Sequence, residues 1–402
     1  MPRRTVLFLT TSYPSHERDW SGIFIAKLAV AMTVRGHRVK VVAPSDGVFH
    51  GKRIIEGIET VRFGYFWPRS LERLTIGAGG IPENVSKSFL AKIQIVPMIA
   101  VFVLVALRNA PGCDVLYANW LGAGIVGAVV NLLTGIPLIV SFRGDDGYLA
   151  RDRFFWRLFT RWVASRAAIV APVSVELLEI MRDLGIADSK LRLPRFGVDM
   201  DMFRPPETWH DQGTETDVLF VGALIPKKGL QCLLEALQDP SLERVRLTVV
   251  GDGYHADELK ALCEKLGLKD RTRWMGILPP HEVARVMRES DLLCLPSFTE
   301  GSPNVVKEAM SSGLPVIASS VGGVPDLISD GLTGLLFEAG NVVELRRCIR
   351  TLCEDKALRR EMGSAGHRFM KESGMNWDTT AQDFEKLFED IMPPKSTNRV
   401  SG

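Results

Sequence analysis

The sequence predicts an α/β fold in which two Rossmann-like domains face each other across a cleft and a last helix packs back on the body. Short apolar runs alternate with helical patterns along the chain, which is typical of βαβ units and parallel sheets. The alternation stops at a polar run from Glu207 to Asp217 and then starts again. The length of 402 residues also suits two domains of about 100–200 residues each.

The same breaks predict the domain boundaries. We expect an N-terminal Rossmann-like domain over residues 1–200 and a C-terminal one over residues 201–376. Residues 377–392 carry apolar side chains at helical spacing and predict a terminal amphipathic helix. Residues 393–402 are polar and predict a disordered tail.

Strands are predicted where an apolar run is flanked on both sides by turn-forming residues. In the first half these runs are Val6–Leu9, Val39–Val42, Val115–Tyr117, Leu138–Phe142 and Ile169–Ala171. In the second half they are Val218–Val221, Leu247–Val250, Thr272–Met275, Leu292–Leu295, Val316–Ala318 and Gly334–Phe337. Helical patterns in the first half lie near 23–35, 122–134, 151–166 and 174–184. Ligands of such folds bind in the loops that follow the strands.

The most hydrophobic segment runs from Ile93 to Leu107 and includes Gln94 and Pro97. It is shorter than the roughly 20 residues of a membrane-spanning helix, so we expect a helix that is buried or lies at an interface. The apolar run Val6–Leu9 is too short for a secretory signal. The six cysteines form no CxxC pair, so we expect reduced thiols and a cytoplasmic protein.

The net charge of +2 conceals an asymmetry. Residues 1–200 carry 25 Lys or Arg against 16 Asp or Glu, whereas residues 201–402 carry 24 against 31. Such a split indicates that the first half meets an anionic partner, such as a membrane face or a phosphorylated substrate. A solvated surface without a partner also explains the pattern. We expect no nucleic-acid partner.

The most informative stretch runs from Asp291 to Gly323. A predicted strand leads into a loop that holds Glu300. Pro303 then suits the first turn of a helix, where its missing N–H costs nothing. The stretch therefore predicts a strand, a short loop and a helix start at the edge of the second sheet.

Two carboxylates bracket that helix start. The free amides of Ser302, Asn304 and Val305 form an anion site there, and Glu308 lies eight residues after Glu300. Eight residues at helical rise span about 12 Å, a distance comparable to that from the sugar to the ribose of a nucleotide-sugar. Carboxylates at the ends would accept hydrogen bonds from hydroxyls, and amides between them would bind phosphate.

This stretch resembles the E-x7-E region of family-4 retaining glycosyltransferases (glycosyl transferases group 1), which have the GT-B fold. The resemblance covers most of the chain. Further matching segments are Ser12-Tyr13-Pro14, Gly22, Gly36-His37, Gly144, Asp146, Gly197-Val198-Asp199, Phe203, Pro205, Val221-Gly222, Lys228-Gly229, Gly251-Asp252-Gly253, Gly276, Pro315-Val316-Ile317-Ala318 and Gly322-Gly323.

The resemblance implies the roles of the candidate site residues. Glu308 holds the donor ribose, Glu300 the transferred sugar or its neighbouring phosphate, and Lys228 the diphosphate. It also implies a metal-independent reaction with no cofactor, since the nucleotide-sugar (UDP- or GDP-linked) is a substrate. The implied mechanism is front-face attack with retention, in which the leaving diphosphate helps to deprotonate the acceptor.

Loops after other strands complete the predicted donor site. Gly22 in the first strand-to-helix loop would let backbone approach phosphate or sugar. Gly251, Asp252, Gly276 and Ile277 end two strands, and related proteins bind the nucleotide base near such loops. A plain structural turn explains each glycine equally well.

Two positions depart from the family pattern. The family often has an arginine five residues before the phosphate lysine, where this chain has Ala223. The family also often has a histidine before Gly-x-Asp, where this chain has Arg143. Arginine is always charged, so Arg143 is a candidate catalytic residue that contacts the donor phosphate or an anionic acceptor; Lys227 is the other candidate for the missing cation.

The adjacent acids Asp145 and Asp146 do not predict a metal site, because neighbouring side chains usually point in different directions. We expect no metal.

The acceptor is expected to meet the N-terminal domain. The helical pattern over 151–166 is basic, aromatic and amphipathic, which suits an anionic membrane surface. An apolar face packed in the core is the alternative. We expect a glycan, lipid-linked or polysaccharide acceptor at the cytoplasmic face of a membrane. The residues of this pattern are Arg151, Arg153, Arg157 and Arg161 with Phe155, Leu158, Phe159 and Trp162.

Three functions fit the sequence. The first is an active glycosyltransferase of polysaccharide biosynthesis. The second is a nucleotide-sugar epimerase on the same plan that hydrolyses its donor. The third is an inactive, donor-binding partner subunit, which the replacements at Ala223 and Arg143 motivate.

Overall fold

The computed structural model describes residues 3–15, 22–76, 80–207 and 215–392. These residues form a seven-stranded sheet and a six-stranded sheet, each covered by helices. The expected disordered tail over 393–402 and most of the polar run Glu207–Asp217 lie outside the described residues. The α/β fold with two Rossmann-like sheets across a cleft is confirmed.

The first sheet has the order β3-β4-β2-β1-β5-β6-β7. All its neighbours are parallel except the antiparallel pair β3 and β4. Its strands are β1 Thr5–Leu9, β2 Arg38–Pro44, β3 Gly51–Ile55, β4 Ile58–Phe63, β5 Val115–Asn119, β6 Leu138–Phe142 and β7 Ile169–Pro172. Its helices are α1 Ile23–Val34, α2 Gly80–Lys87, α3 Phe89–Asn109, α4 Trp120–Thr134, α5 Asp145–Asp152, α6 Phe154–Arg166 and α7 Val175–Asp183.

The second sheet is parallel throughout and has the order β10-β9-β8-β11-β12-β13. Its strands are β8 Thr216–Val221, β9 Val245–Val250, β10 Thr272–Gly276, β11 Leu292–Leu295, β12 Val316–Ser319 and β13 Gly334–Phe337. The helices of the second half are α8 Leu230–Leu237, α9 Ala256–Lys265, α10 Pro280–Glu289, α11 Asn304–Ser311, α12 Val342–Glu354, α13 Lys356–Ser373 and α14 Trp377–Ile391.

Every strand predicted from an apolar run is present. Strands β5, β6, β11 and β12 are buried along their whole length, because helices cover both faces of a parallel sheet. The hairpin of β3 and β4 was not predicted. β3 is an exposed edge strand of mixed polar and apolar residues, so it lacks the apolar run that marks the others.

The helix predicted over 151–166 is wrong in its extent. The chain forms two helices, α5 and α6, separated at Arg153. Arg153 has an extended backbone, with φ −126 and ψ 121. It ends α5 and is the cap residue before α6, so the chain changes direction between the two helices.

The apolar segment predicted as Ile93–Leu107 is longer than expected. Helix α3 has 21 residues and, by length and composition alone, is long and apolar enough to cross a membrane. One side of the helix nevertheless packs on β2, β4 and α4. On that side Gln94 is fully buried and donates to the carbonyl oxygen of Leu71 at 2.6 Å. The helix therefore lies along the sheet and exposes its other side.

The terminal helix α14 packs back on the body, as predicted, and does so against the first half of the chain. It packs on α1, and Phe384 and Phe388 enter the core of the first half. Glu385 accepts hydrogen bonds from Arg35 Nη2 at 2.7 Å and from His37 Nε2 at 3.0 Å. Burial acts to raise the pKa of Glu385, but these hydrogen bonds outweigh it and hold the pKa below its ordinary value. An ionised carboxylate thus ties the two ends of the chain together.

We predict that Glu385→Gln lowers the free energy of unfolding by about 1–3 kcal/mol, because Arg35 loses a buried charged acceptor. Urea denaturation at pH 7 measures this change. Glu389→Gln, on an exposed position of the same helix, serves as the control and should leave the unfolding midpoint unchanged. Equal midpoints for both variants would contradict the role of this contact.

Candidate functional site

The candidate site lies where the strand order of the second sheet reverses. From β8 the chain proceeds to β9 on one side, while β11 pairs with β8 on the other. The loops after β8 and β11 therefore diverge and leave a crevice at the carboxyl edge, which is where such sheets bind ligands. Lys228 follows β8 and Glu300 follows β11, so both candidates lie at this crevice.

Lys228 and Glu300 are in direct contact. Lys228 Nζ lies 2.6 Å from Glu300 Oε1, and the hydroxyl of Ser297 donates to the same oxygen at 2.7 Å. The Glu300 side chain is 8% exposed and that of Lys228 is 22% exposed. The pair is thus partly desolvated, which strengthens its attraction relative to a surface pair. The other carboxylate oxygen, Glu300 Oε2, accepts no hydrogen bond from any described residue.

Two glycines permit this contact. Gly229 has φ +72, and a Cβ there would lie 1.8 Å from the carbonyl oxygen of Pro296. Gly322 has φ +58, and a Cβ there would lie 1.8 Å from the carbonyl oxygen of Glu300. Any other residue would push the loops apart, so the close packing of three loops fixes the Lys228–Glu300 geometry.

The start of α11 provides amide donors beside this pair. Pro303 is the N-cap residue and α11 begins at Asn304. The first amides of a helix have no acceptor inside the helix, and the helix dipole favours an anion at this end. Ser302, Asn304 and Val305 are all partly exposed. The sequence-predicted anion site is therefore accessible, although its role stays a prediction.

Glu308 lies further along α11 without a partner. Its carboxylate makes no hydrogen bond or ion pair with any of the described residues, and burial raises its pKa to about 7. Its neighbour Lys307 is 1% exposed and donates to the carbonyl oxygen of Phe196 at 3.1 Å. Burial, with a contribution from Arg143, lowers the pKa of Lys307 to about 7. A carboxylate that is desolvated and unpaired suits hydroxyl donors from a ligand.

The remaining predicted loop residues differ in their surroundings. Gly22 has φ +69 and Gly251 has φ +136, and a Cβ at either position would clash with a backbone oxygen at 2.5 or 1.9 Å. Gly276 has φ +66 with open space around it. Asp252 is exposed, and Ile277 is 63% exposed. Tight turns account for Gly22 and Gly251, and the donor-binding role of all five stays a prediction.

Arg143 is held rigidly on the other side of the cleft. Its guanidinium lies 4.4 Å from the ring centroids of both Phe24 and Phe196. Its Nε donates to Asn119 at 2.9 Å and its Nη2 to Tyr117 at 3.1 Å. A Cβ on Gly301 would lie 2.0 Å from the carbonyl oxygen of Arg143, so Arg143 abuts the loop that carries Glu300.

The two adjacent acids point apart, as expected. Asp146 is buried and accepts hydrogen bonds from the amides of Arg143, Gly144, Gly147 and Leu121. Burial raises its pKa to about 6, although these amides act to lower it. Asp145 instead pairs with Lys227 Nζ at 2.6 Å. Asp146 therefore shapes the loop of Arg143, and Lys227 is committed to a contact between the two halves.

Several residues at the cleft were not predicted from the sequence. Tyr148 donates to the carbonyl oxygen of Glu300 at 2.8 Å and so links α5 to the Glu300 loop. Phe24 follows Gly22 closely and Phe196 precedes Gly197. Their nearness to predicted loop glycines was the one signal available, because contact with Arg143 depends on tertiary packing.

A cavity of about 840 Å³ opens beside the site. It lies between α5 and α7 on one side and the loops after β11 and β12 on the other. None of the predicted donor residues lines it, so it is separate from the crevice at Lys228. Its polar lining residues include Asp145, Asp152, Glu176, Asp326 and Arg151.

The outer face of the first sheet is apolar and basic. Helix α4 packs between α3 and α6, and these three helices contain five Lys or Arg and no Asp or Glu. The alternative in which the aromatic side chains of α6 pack in the core is wrong, because all five are exposed; the buried side of the helix is formed by Thr160, Val163 and Ala164. The exposed apolar residues are Phe89, Ile93, Ile95, Val96, Leu104, Leu132, Leu133, Phe154, Phe155, Trp156, Leu158, Phe159 and Trp162.

We predict that Glu308→Gln stabilises the protein above pH 7 by roughly 1–3 kcal/mol. The pKa of Glu308 rises from 4.5 to about 7 in the folded state, so folding favours its protonated form. The stability that protonation provides is present below pH 4.5 and is lost as the pH rises through about 7. Thermal melting at pH 8.5 and pH 5.5 should show a larger gain at pH 8.5. Glu235→Gln, on an exposed position of α8, should show no gain, and an equal effect of both variants would contradict the assignment.

Comparison with known proteins shows the family and the fold of the chain. A family model described as "Glycosyl transferases group 1" matches residues 206–369, and one described as "Glycosyl transferase 4-like domain" matches residues 21–220. The D-inositol 3-phosphate glycosyltransferase of Corynebacterium aurimucosum is 30% identical over 312 residues, which cover 69% of this chain and 72% of that relative.

Solved structures show the same fold. Sucrose-phosphate synthase from Thermosynechococcus elongatus has a TM-score of 0.82 at 19% identity, covering 97% of this chain and 99% of that one. HepE from Anabaena, solved with UDP and glucose, has a TM-score of 0.74 at 20% identity, covering 96% and 100%. The chain therefore belongs to the group 1 glycosyl transferase family, has the GT-B fold and is a glycosyltransferase.

Proposed function

We propose that this protein is a retaining, metal-independent glycosyltransferase that moves a sugar from a nucleotide-sugar to a glycan, lipid-linked or polysaccharide acceptor. The observation that carries the proposal is the contact of Lys228 with Glu300 beside the start of α11. This arrangement gathers a cation, helix amides and a carboxylate at one crevice. A diphosphate needs the first two, and a sugar hydroxyl needs the third.

The proposed donor pose follows from these groups. The diphosphate lies between Lys228 and the amides of Ser302, Asn304 and Val305. The ribose hydroxyls donate to Glu308, whose carboxylate has no other partner among the described residues. The transferred sugar lies at Glu300. The solved UDP complex of HepE favours UDP as the nucleotide.

The proposed reaction needs no separate base. The bond from the sugar C1 to the β-phosphate oxygen breaks, and a bond from C1 to the acceptor oxygen forms on the same face. The acceptor proton passes to an oxygen of the leaving diphosphate. Lys228 and the start of α11 stabilise the charge that grows on this leaving group, which is electrostatic stabilisation by preorganised groups. No step requires a metal.

Donor binding and turnover test these roles. Thermal shift without metal should show that UDP or GDP at 100 times its dissociation constant stabilises the protein by about 2.7 kcal/mol. Glu308→Ala should weaken this binding about 10–100-fold, because the ribose loses a charged acceptor. Lys228→Ala should lower kcat about 100–1000-fold, whereas Lys260→Ala on α9 is the control. Normal kinetics in both site variants would refute the site assignment.

The same assay separates the two rival functions. Transfer of sugar to an acceptor with retention at C1 supports the proposal. Inversion at C2 of the sugar without transfer would identify a hydrolysing epimerase. Binding of UDP without either reaction would identify an inactive partner subunit, which the replacements at Ala223 and Arg143 leave open.

We also propose that the outer face of α3, α4 and α6 docks on an anionic membrane surface, on the cytoplasmic side. Exposed apolar side chains, such as Phe155 (73% exposed) and Phe89 (76% exposed), would insert into the membrane interface. The five basic residues and the lack of acidic ones on these helices match anionic headgroups. Large exposed apolar patches usually mark a site of interaction with a protein or a membrane. Docking here would bring a lipid-linked acceptor to the N-terminal half.

Vesicle co-sedimentation tests the docking face. The protein should bind vesicles of equal parts phosphatidylcholine and phosphatidylglycerol. It should bind vesicles of phosphatidylcholine alone much more weakly. Phe155→Glu should weaken binding about 10–100-fold, because it removes about 1.5–3 kcal/mol of apolar burial and adds repulsion. Val343→Glu, at a position on α12 that is 72% exposed, should bind normally. Absence of binding by the wild type would refute docking.

A further inference from the structure

Two aromatic rings hold the guanidinium of Arg143. Its Cζ lies over the ring of Phe24 and over the ring of Phe196, 4.4 Å from each ring centroid. Phe24 in turn packs edge-to-face on Trp120 at 6.0 Å, and Trp120 has the left-handed φ of 66. A non-glycine residue in this conformation stores strain that the surroundings must hold. Trp120 therefore supports Phe24, and Phe24 in turn packs on the guanidinium of Arg143.

One edge of the guanidinium remains open. Nε and Nη2 donate to Asn119 and Tyr117, and these two nitrogens form one edge of the planar group. Nη1 has no hydrogen-bond partner among the described residues, and Arg143 is partly exposed. The edge formed by Nη1 and the second hydrogen of Nη2 thus stays available to a ligand.

The surroundings offer more donors than acceptors. Asn119 Oδ1 accepts from Arg143, so its Nδ2 is the donor, and this fully buried nitrogen has no partner among the described residues. Tyr117 accepts from Arg143 at its hydroxyl oxygen, which leaves the hydroxyl hydrogen to donate elsewhere. Unpaired donors around a fixed cation cost free energy unless an acceptor reaches them. An anion is the ligand that satisfies such a cluster.

The cluster lies at the switch point of the first sheet, opposite the proposed diphosphate site. Asn119 ends β5, Arg143 follows β6, and Phe24 lies in the first turn of α1, the helix after β1. From β1 the chain proceeds to β2 on one side, while β5 pairs with β1 on the other. Arg143 also abuts Gly301, next to the residue that the proposed function gives to the transferred sugar. The diphosphate has its own cation in Lys228.

We propose that Arg143 is a specificity residue that binds an anionic group, a carboxylate or a phosphate, carried by one of the sugar substrates in addition to the donor diphosphate. The inference rests on the proposed function and names the substrate class of the same cleft. The open edge presents two parallel N–H donors, which match the two oxygens of such a group. The group belongs either to the transferred sugar or to the acceptor.

Matched pairs of charged and neutral ligands test the proposal. Isothermal titration calorimetry compares UDP-glucuronate with UDP-glucose for the donor, and glucose 6-phosphate with glucose at saturating UDP for the acceptor. The wild type should prefer the charged member of one pair by about 10–100-fold, the range for hydrogen bonds to charged groups. The pair that shows the preference identifies the substrate that carries the anion.

Variants assign the preference to this side chain. Arg143→Met keeps apolar contact with both rings and should abolish the preference while UDP alone binds normally. Arg143→Lys keeps the positive charge but lacks the planar edge with two parallel N–H donors. This variant should retain only part of the preference for the charged ligand. Arg182→Gln on α7, whose side chain pairs with Glu179 and Asp188, is the control and should behave as the wild type.

Three results would overturn the inference. If the wild-type protein shows no preference for the charged ligand in either pair, the inference is overturned, and this result does not depend on how well any variant folds. An equal loss of affinity for UDP and for all its sugar conjugates in Arg143→Met would instead assign Arg143 to the diphosphate. Failure of the wild type to bind UDP would refute the proposed function and this inference with it, whereas UDP binding without preference refutes the inference alone.

Discussion

The candidate site depends on the close packing of the loops after β8 and β11, which brings Lys228 against Glu300. The two residues are 72 positions apart and their charged atoms are 2.6 Å apart. Glycines at 229 and 322 leave no room for a side chain between the loops. Because the loops are held by backbone packing, the charges are oriented before a ligand arrives, which is the condition for effective electrostatic stabilisation.

The two sides of the cleft have different chemistry. On the C-terminal side, the Glu308 carboxylate has no partner within the described ranges and lies next to buried Lys307, and burial brings the pKa of each to about 7. On the N-terminal side, Arg143 lies among donors. A ligand that spans the cleft therefore meets carboxylates together with Lys228 and helix amides on one side, and the guanidinium of Arg143 on the other. Such asymmetry orients a substrate as well as binding it.

The excess positive charge of the first 200 residues is concentrated in part on a surface that also exposes aromatic side chains. On α3, α4 and α6 basic residues occur without acidic ones, while Phe154 and Phe155 point to solvent at 66% and 73%. Basic side chains and exposed aromatic side chains therefore occur together on α3 and α6. The opposite face of the sheet is covered by α1 and α14, so the two faces differ in what they can meet.

The sequence by itself determined the strands and the linear motif. Each buried parallel strand is a continuous apolar run, and the spacing of Glu300 and Glu308 around a helix start is local. The edge hairpin of β3 and β4, the break at Arg153 and the exposure of the α6 aromatics were decided by tertiary structure. The same is true of the two rings that enclose Arg143, which come from residues 24 and 196. Local patterns record which side chains must be buried and how they are spaced, whereas contacts between distant segments depend on how whole sheets and helices pack.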